Sequence, residues 1–452
     1  MARLGKTIVA RCTVLSFIAI LIFNVLKQSI RQLSWPSIPI SKFKSLNDVI
    51  DQDCCFFYNQ IRPINAGSFP EFENVTPAEL IHSKYLFHGR IYGIDDINEW
   101  KYHYSSQINE FPQFLFSGRQ VVGSQWKERT LVYQHWSTLG LIPNQPNFID
   151  IDDLYTCKNI LSFFPLEKYD SNIAQTHKFF KKTYLPNYGV SLVEYTTSYP
   201  MMLKCAELDG ADEGVYLVQN GNDFVRLKKN VTCLNWIHQK YIPPNPFSTA
   251  DVNFYIHKNK SFSFIGVSPE IYREVGSINS ITHNLYWLSQ FEEMIKIIAS
   301  HITLVSNYSG FVCFDAVRDQ NGKWRVVDIN VRLCGGDHHF MIANRMIEQN
   351  FMFWQYFDHL PAKRGLTCEE LIGIIDHLNK QNCCKNLITS FISENDRCVL
   401  NFMLFGTSMT GLSQCFPIRV FNWTGFDPWN IKIVSDDQIM NDMMPTYLLD
   451  DF

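Results

Sequence analysis

Residues 326–336, VVDINVRLCGG, alternate in polarity: Val327, Ile329 and Val331 fall on one side of an extended chain, and Asp328, Asn330 and Arg332 on the other. The residues before them lengthen the pattern to GFVCFDAVRDQNGKWRVVDIN, which reads as strand, Asn321-Gly322 turn, strand. A two-residue loop pairs Gln320 with Lys323 and sets Asp315 directly opposite Asp328. A longer loop with a bulge at Gly322 shifts that pairing by one residue. Directly opposed side chains stand about 5 Å apart at Cβ, where like charges repel, so the pair asks for a cation between them. A solvated hairpin edge is the other reading of the same acids.

Upstream, Leu288, Phe291, Ile295, Ile298 and Ile302 form one stripe and predict a packed helix over NLYWLSQFEEMIKIIASHITLV. VNFYIHKNKSFSFIGVS predicts strand, turn at Asn259 and Lys260, and strand. In YPMMLKCA a single lysine, Lys204, interrupts an apolar strand; its burial is costly unless it meets an anion or a cleft. AELDGADEGVYLV carries Gly210 and Gly214 into a further strand, a flap able to close over phosphates with backbone N–H groups, although it fits neither the P-loop nor the dinucleotide fingerprint. CLNWIHQKYIPP predicts a strand ending in prolines, and THKFFKKTYLPNYGVSLVEY a helix stopped at Gly189 and followed by a strand.

At 452 residues, 46% hydrophobic and 19% charged, the chain is long enough for two or three packing units. A net charge of −4 provides no basic field, which excludes nucleic-acid binding as the main role. Thirteen cysteines without a C-x-x-C indicate neither a zinc ribbon nor a thioredoxin-like site, and most, Cys205 and Cys313 among them, are expected to be small buried hydrophobes. An apolar run from Cys12 to Leu26, flanked by Arg3, Lys6, Arg11, Lys27 and Arg31, predicts a single-pass membrane anchor over residues 1–30. Residues 31–49, with SWPSIPISKFKS, read as a linker. Five N-x-S/T sequons, at Asn74, Asn230, Asn259, Asn307 and Asn422, are close to the number chance provides in so asparagine-rich a chain. The acidic DIDD at 150–153 and the histidines of DHHF, His338 and His339, are weak metal candidates; adjacent residues point apart, so one of the two histidines at most could be a ligand.

The order of parts resembles the ATP-grasp superfamily: lysine-led helix, lysine strand, glycine loop, hinge strand, helix, then a hairpin with D…D-x-N-x-R. That superfamily includes D-alanine–D-alanine ligase, biotin carboxylase and the large subunit of carbamoyl phosphate synthetase. The resemblance covers roughly residues 170–350 and implies an α/β (α+β) fold with two lobes gripping ATP. It implies magnesium, or manganese in its place, on Asp315, Asp328 and Asn330, and a catalytic Arg332 on the same face. Lys178 and Lys204 would hold phosphates, Gly214 would belong to the flap, and Gln239, Lys240 and Ile242 would flank the adenine. Four features depart from the family pattern: the second acid is Asp328 where glutamate is usual, the hinge has Lys240 where an acid is usual, the flap is poor in glycine, and Lys178 and Lys204 are closer in sequence than is usual.

The expected organisation is a membrane anchor at 1–30, a linker at 31–49, a mixed α/β domain at 50–170, the ATP-grasp domain at 171–360 and an α/β extension at 361–452. The expected activity is ATP-dependent joining of a small-molecule carboxylate to an amine, through an acyl-phosphate, on the cytosolic side of a membrane. A type II membrane glycosyltransferase of the secretory pathway and a catalytically inactive nucleotide-binding relative stay open as alternatives.

Overall fold

The computed structural model describes residues 38–49, 54–57, 85–87, 90–92, 120–122, 127–141, 147–149, 156–157, 159–162, 196–205, 215–230, 236–242, 249–270, 278–363, 365–380, 384–394 and 397–408. The expected membrane anchor, the acidic 150–153 stretch, Lys178 and Gly214 lie outside the described residues. Among the described residues no helix is long and apolar enough to cross a membrane.

Near the N-terminus, β1 (Cys54–Phe57) pairs in parallel with both β4 (Gln120–Val122) and β6 (Asn159–Ser162), and β4 pairs in parallel with β5 (Asn147–Ile149). A short hairpin, β2 (Tyr85–Phe87) and β3 (Arg90–Tyr92), and helix α1 (Lys127–Thr138) complete this mixed α/β part. A small antiparallel sheet follows, with β7 (Met201–Cys205) between β8 (Val215–Val218) and β9 (Trp236–Lys240). Its Met201, Leu203 and Val218 pack on Phe224 and Leu227 of α2 (Gly221–Asn230), so one face is apolar core and the other carries Lys204.

The next sheet has the order β11-β10-β13-β14, all antiparallel: β10 (Thr249–Ile256), β11 (Phe262–Glu270), β13 (Gly310–Arg318) and β14 (Trp324–Asn330). β12 (Ile278–Ser280) leads into α3 (Ile281–Val305), whose predicted stripe is the one that is buried, with Leu288, Phe291 and Ile302 fully so. Phe291 meets Phe314 edge-on at 5.9 Å, and Phe254 lies 6.3 Å from Phe314, which fixes the sheet face that α3 covers. The opposite face is the polar one. Helix α4 (Gly335–Ile347) lies across part of it, with the Phe340 ring against Gly266, where any Cβ would collide.

β15 (Phe353–Pro361), α5 (Cys368–Leu378), β16 (Cys384–Glu394) and β17 (Arg397–Gly406) follow. Thr367 and Glu370 cap α5 reciprocally, each side chain bonding the other's backbone N–H. The boundary expected at residue 360 does not separate anything: β17 pairs with β15, and Phe402, Met403 and Leu404 share one core with Phe340 and Met341 of α4 and Trp136 of α1. Trp136 Nε1 also donates to the Ile388 carbonyl at 2.7 Å. Nor is the end of the expected linker loose. Ser41 N and Phe264 N exchange bonds with Phe264 O and Pro39 O, Leu46 is fully buried, and the Phe43 carbonyl accepts from Asn344 Nδ2 at 2.8 Å.

Candidate functional site

The polar face of the four-stranded sheet is built as two rungs. One runs Ser268, Asp251, Asp315, Asp328 across β11, β10, β13 and β14; the next runs Gly266, Asn253, Cys313, Asn330. Asp315 thus faces Asp328, as counting outward from a two-residue turn predicted, but by a different route. The turn is a three-residue loop, with Asp319 N bonded to Lys323 O and Gly322 at φ +77°, so the register near the turn is one residue off the two-residue expectation. A second irregularity between Asp315 and Ala316 leaves Val327 as the extra residue of β14 and restores the pairing of Asp315 with Asp328.

That extra residue joins the two sheets. The Val327 carbonyl accepts from Lys204 Nζ at 2.8 Å and from Gln239 Nε2 at 3.1 Å. Lys204 and Gln239 therefore converge on the backbone beside Asp328, while Lys240 is exposed and Ile242 half-buried. On β8 the cross-strand neighbours of Lys204 and Met202 are Val215 and Leu217, two apolar side chains that remain 37% and 42% exposed.

The two flanking strands carry the same D-x-N triplet, Asp251-Val252-Asn253 and Asp328-Ile329-Asn330, and each asparagine amide donates to its aspartate, at 3.0 and 3.4 Å. Asn253 and Asn330 are both buried, and the Oδ1 of each has no hydrogen-bond partner among the described residues. Alternation missed Asp251 and Asn253, although the repeated triplet was a signal to find them. Asp337, at the third position of α4, accepts from Cys334 N at 2.7 Å. Burial pushes its carboxyl well above the usual range, and the nearby Asp251 charge adds to that. Gly336 lies over this corner; a Cβ there would come within 2.8 Å of both Asn253 Nδ2 and Asp251 Oδ2, so only glycine fits.

Arg332 follows β14 and donates from Nη1 to the Leu333 carbonyl at 2.9 Å. His338 and His339 sit buried on α4 with ring centroids 6.0 Å apart, and the His339 ring lies 4.0 Å from that of Tyr356. Burial, with the His339 charge, holds His338 well below the ordinary imidazole range. Cys55, Cys313, Cys334, Cys384 and Cys398 are buried as expected, but they are not free thiols: all seven cysteines whose side chains are described are disulfide-bonded, including Cys313 to Cys334, Cys55 to Cys157 and Cys368 to Cys398.

Asp315, Asp328 and the Asn330 Oδ1 are hard oxygen donors of the kind magnesium takes. Among the described residues no group of three or more His, Cys, Asp or Glu side chains is already gathered for a metal, so an ion here would complete its shell with phosphate and water oxygens.

No family model matches the sequence, and no curated protein matches it. Solved structures with a similar chain course include a biotin carboxylase from Campylobacter jejuni, at 10% identity over 74% of this chain and 99% of that one, with a TM-score of 0.47. An N5-carboxyaminoimidazole synthetase from Staphylococcus aureus complexed with ADP gives 14% identity over 65% and 93%, with a TM-score of 0.44. An N5-carboxyaminoimidazole synthase from Aspergillus clavatus gives 10% over 67% and 97%, with a TM-score of 0.43.

Proposed function

We propose that this chain is an ATP-dependent ligase of the ATP-grasp type, which activates a carboxylate as an acyl-phosphate and joins it to an amine. The observation that carries the reading is the rung of opposed acids beside a lysine of a second sheet: Asp315 and Asp328 face each other, and Lys204 reaches the backbone next to Asp328. Opposed carboxylates are stabilised by a divalent cation, and a cation there would neutralise a triphosphate lying between the sheets. Asp315, Asp328 and the Asn330 carbonyl would hold it.

The remaining roles follow from position. Lys204, now on a carbonyl, can exchange that partner for a phosphate oxygen, a stronger charge-assisted bond. The exposed Val215 and Leu217 on the same sheet offer an apolar surface for a flat base. Arg332 can hold a carboxylate or phosphoryl oxygen with two N–H groups. In the reaction a substrate carboxylate oxygen attacks the γ-phosphorus and ADP leaves; the amine then attacks the acyl carbon and phosphate leaves. No covalent protein intermediate is needed, since positioning and charge neutralisation lower the barrier. Gly214 of the flap, Lys178 and the Gln239–Ile242 hinge fill their expected roles on this reading, and the apolar run from Cys12 supports an N-terminal membrane tether.

Thermal melting with Mg2+–ATP and, separately, with UDP-glucose and Mn2+ tests the reading, because a ligand that binds only the folded chain raises the midpoint. Stabilisation by Mg2+–ATP together with phosphate release on adding amino acids supports the ligase. Stabilisation by the sugar nucleotide alone would replace it with a glycosyltransferase, and nucleotide binding without turnover would leave a binding module.

A further inference from the structure

We infer that the Cys313–Cys334 disulfide is a positioning device for the site, so that the site is assembled in an oxidising compartment and not in the cytosol. The inference rests on the site as read above. The bond spans 21 positions of sequence, and Asp315, Asp328, Asn330 and Arg332 all lie inside the loop it closes.

The geometry gives the bond a specific task. Among the described strands β14 is the edge of its sheet, its ladder formed with β13 only, and Asn330 is its last residue, paired with Cys313. A terminal pair on an edge strand is where a ladder opens first. Here Cys313, the partner of Asn330 in that pair, is bonded to Cys334, the residue that caps α4. The end of β14 and the start of α4 are thereby tied to the central strand. Gly336, which lies over Asn253 and Asp251, is held by the same tie.

The redox setting follows from chemistry. The bond forms when two thiols pass two electrons and two protons to a partner disulfide, which is reduced to a dithiol, and such bonds persist in secretory and extracellular compartments and are rare in a reducing cytosol. Four further described cysteines are paired with each other, Cys55 with Cys157 and Cys368 with Cys398. Two sequons are also presented on the surface: Asn259 is exposed in a turn and Asn307 in the irregular connection between α3 and β13.

The test compares the full-length chain, expressed through a secretory pathway, with Cys313→Ala/Cys334→Ala and with the control Cys368→Ala/Cys398→Ala. Peptide mapping under non-reducing conditions is expected to recover Cys313 joined to Cys334, with glycan on Asn259 or Asn307. The first double variant should exchange amide hydrogens at 328–337 at least tenfold faster and bind Mg2+–ATP at least tenfold more weakly, with α3 still protected; the control should match the parent in both. Exchange and affinity within twofold of the parent in the first variant, or free thiols at 313 and 334, would overturn the inference. If α3 loses protection as well, stepwise reduction of the parent decides: loss of protection at 328–337 must follow opening of the 313–334 bond, and loss that instead follows opening of 368–398 refutes it. A parent that binds no nucleotide removes the ligase reading, while the exchange measurement still judges the disulfide.

Discussion

Asp328 carries two opposed demands: it faces Asp315 across the ladder, and its Oδ2 accepts from Asn330 Nδ2. Asp328→Asn removes the repulsion, and its amide oxygen can still accept from Asn330. Without metal the variant should therefore melt at or above the parent. With Mg2+–ATP the parent should gain stability and the variant little, and phosphate release should fall by about a hundredfold or more, because charge neutralisation at a transferring phosphoryl group supplies several kcal/mol. Melting curves with and without Mg2+–ATP check this; a variant that melts well below the parent without metal would make the pair structural. His338 offers a second residue-scale prediction. Its folded pKa is lowered, so below the ordinary histidine range the unfolded chain binds a proton that the folded chain does not. Stability is then fully present above about pH 6.5 and is lost as pH falls from there toward the folded pKa, at up to about 1.4 kcal/mol per pH unit for one proton. His338→Gln should flatten that slope between pH 6.5 and 5, read from denaturant midpoints, whatever it does to the absolute level.

Among the elements, the two hairpins of the site sheet share one device. His257 N bonds Ser261 O as Asp319 N bonds Lys323 O, and the third loop residue is left-handed in both, Lys260 at φ +68° and Gly322 at +77°. Glycine takes that conformation without strain and lysine does not. Lys260→Gly is expected to leave stability unchanged or raise it by up to about 1 kcal/mol, and Gly322→Ala to lower it by about 1 kcal/mol. Urea midpoints of the two variants measure both signs. The Asn321-Gly322 dipeptide announced a hairpin, but the loop closed one residue longer than the two-residue rule suggests. The bulge at Val327 repaired the register, and in doing so accompanied a carbonyl that Lys204 and Gln239 both reach. The helix stripe over α3 was legible because its whole length is amphipathic against one sheet.

At the scale of the molecule, residues 361–406 complete the core and are no appendage. A chain ending at Pro361 would lose β16, β17 and α5, exposing Phe340, Met341 and Trp136, and is expected to be insoluble or to lack a cooperative melting transition. A soluble fragment with a sharp transition that binds Mg2+–ATP would restore the boundary at 360. What the sequence determined by itself was local. Period-two alternation fixed which face of β14 carries Asp328 and Asn330, the isolated Lys204 marked a polar contact inside an apolar strand, and helical periodicity placed α3, because each of these depends on neighbours a few positions away. Tertiary structure alone decided which distant residues share the rungs. Asp251 and Asn253 joined the site because β10 pairs with β13 across about 60 intervening residues, and buried cysteines such as Cys313 and Cys334 became crosslinks as well as core residues because folding brings these two to a Cα separation of 6.2 Å. Strand order, like cysteine pairing, is set by which surfaces bury one another, and no short window of sequence contains both partners.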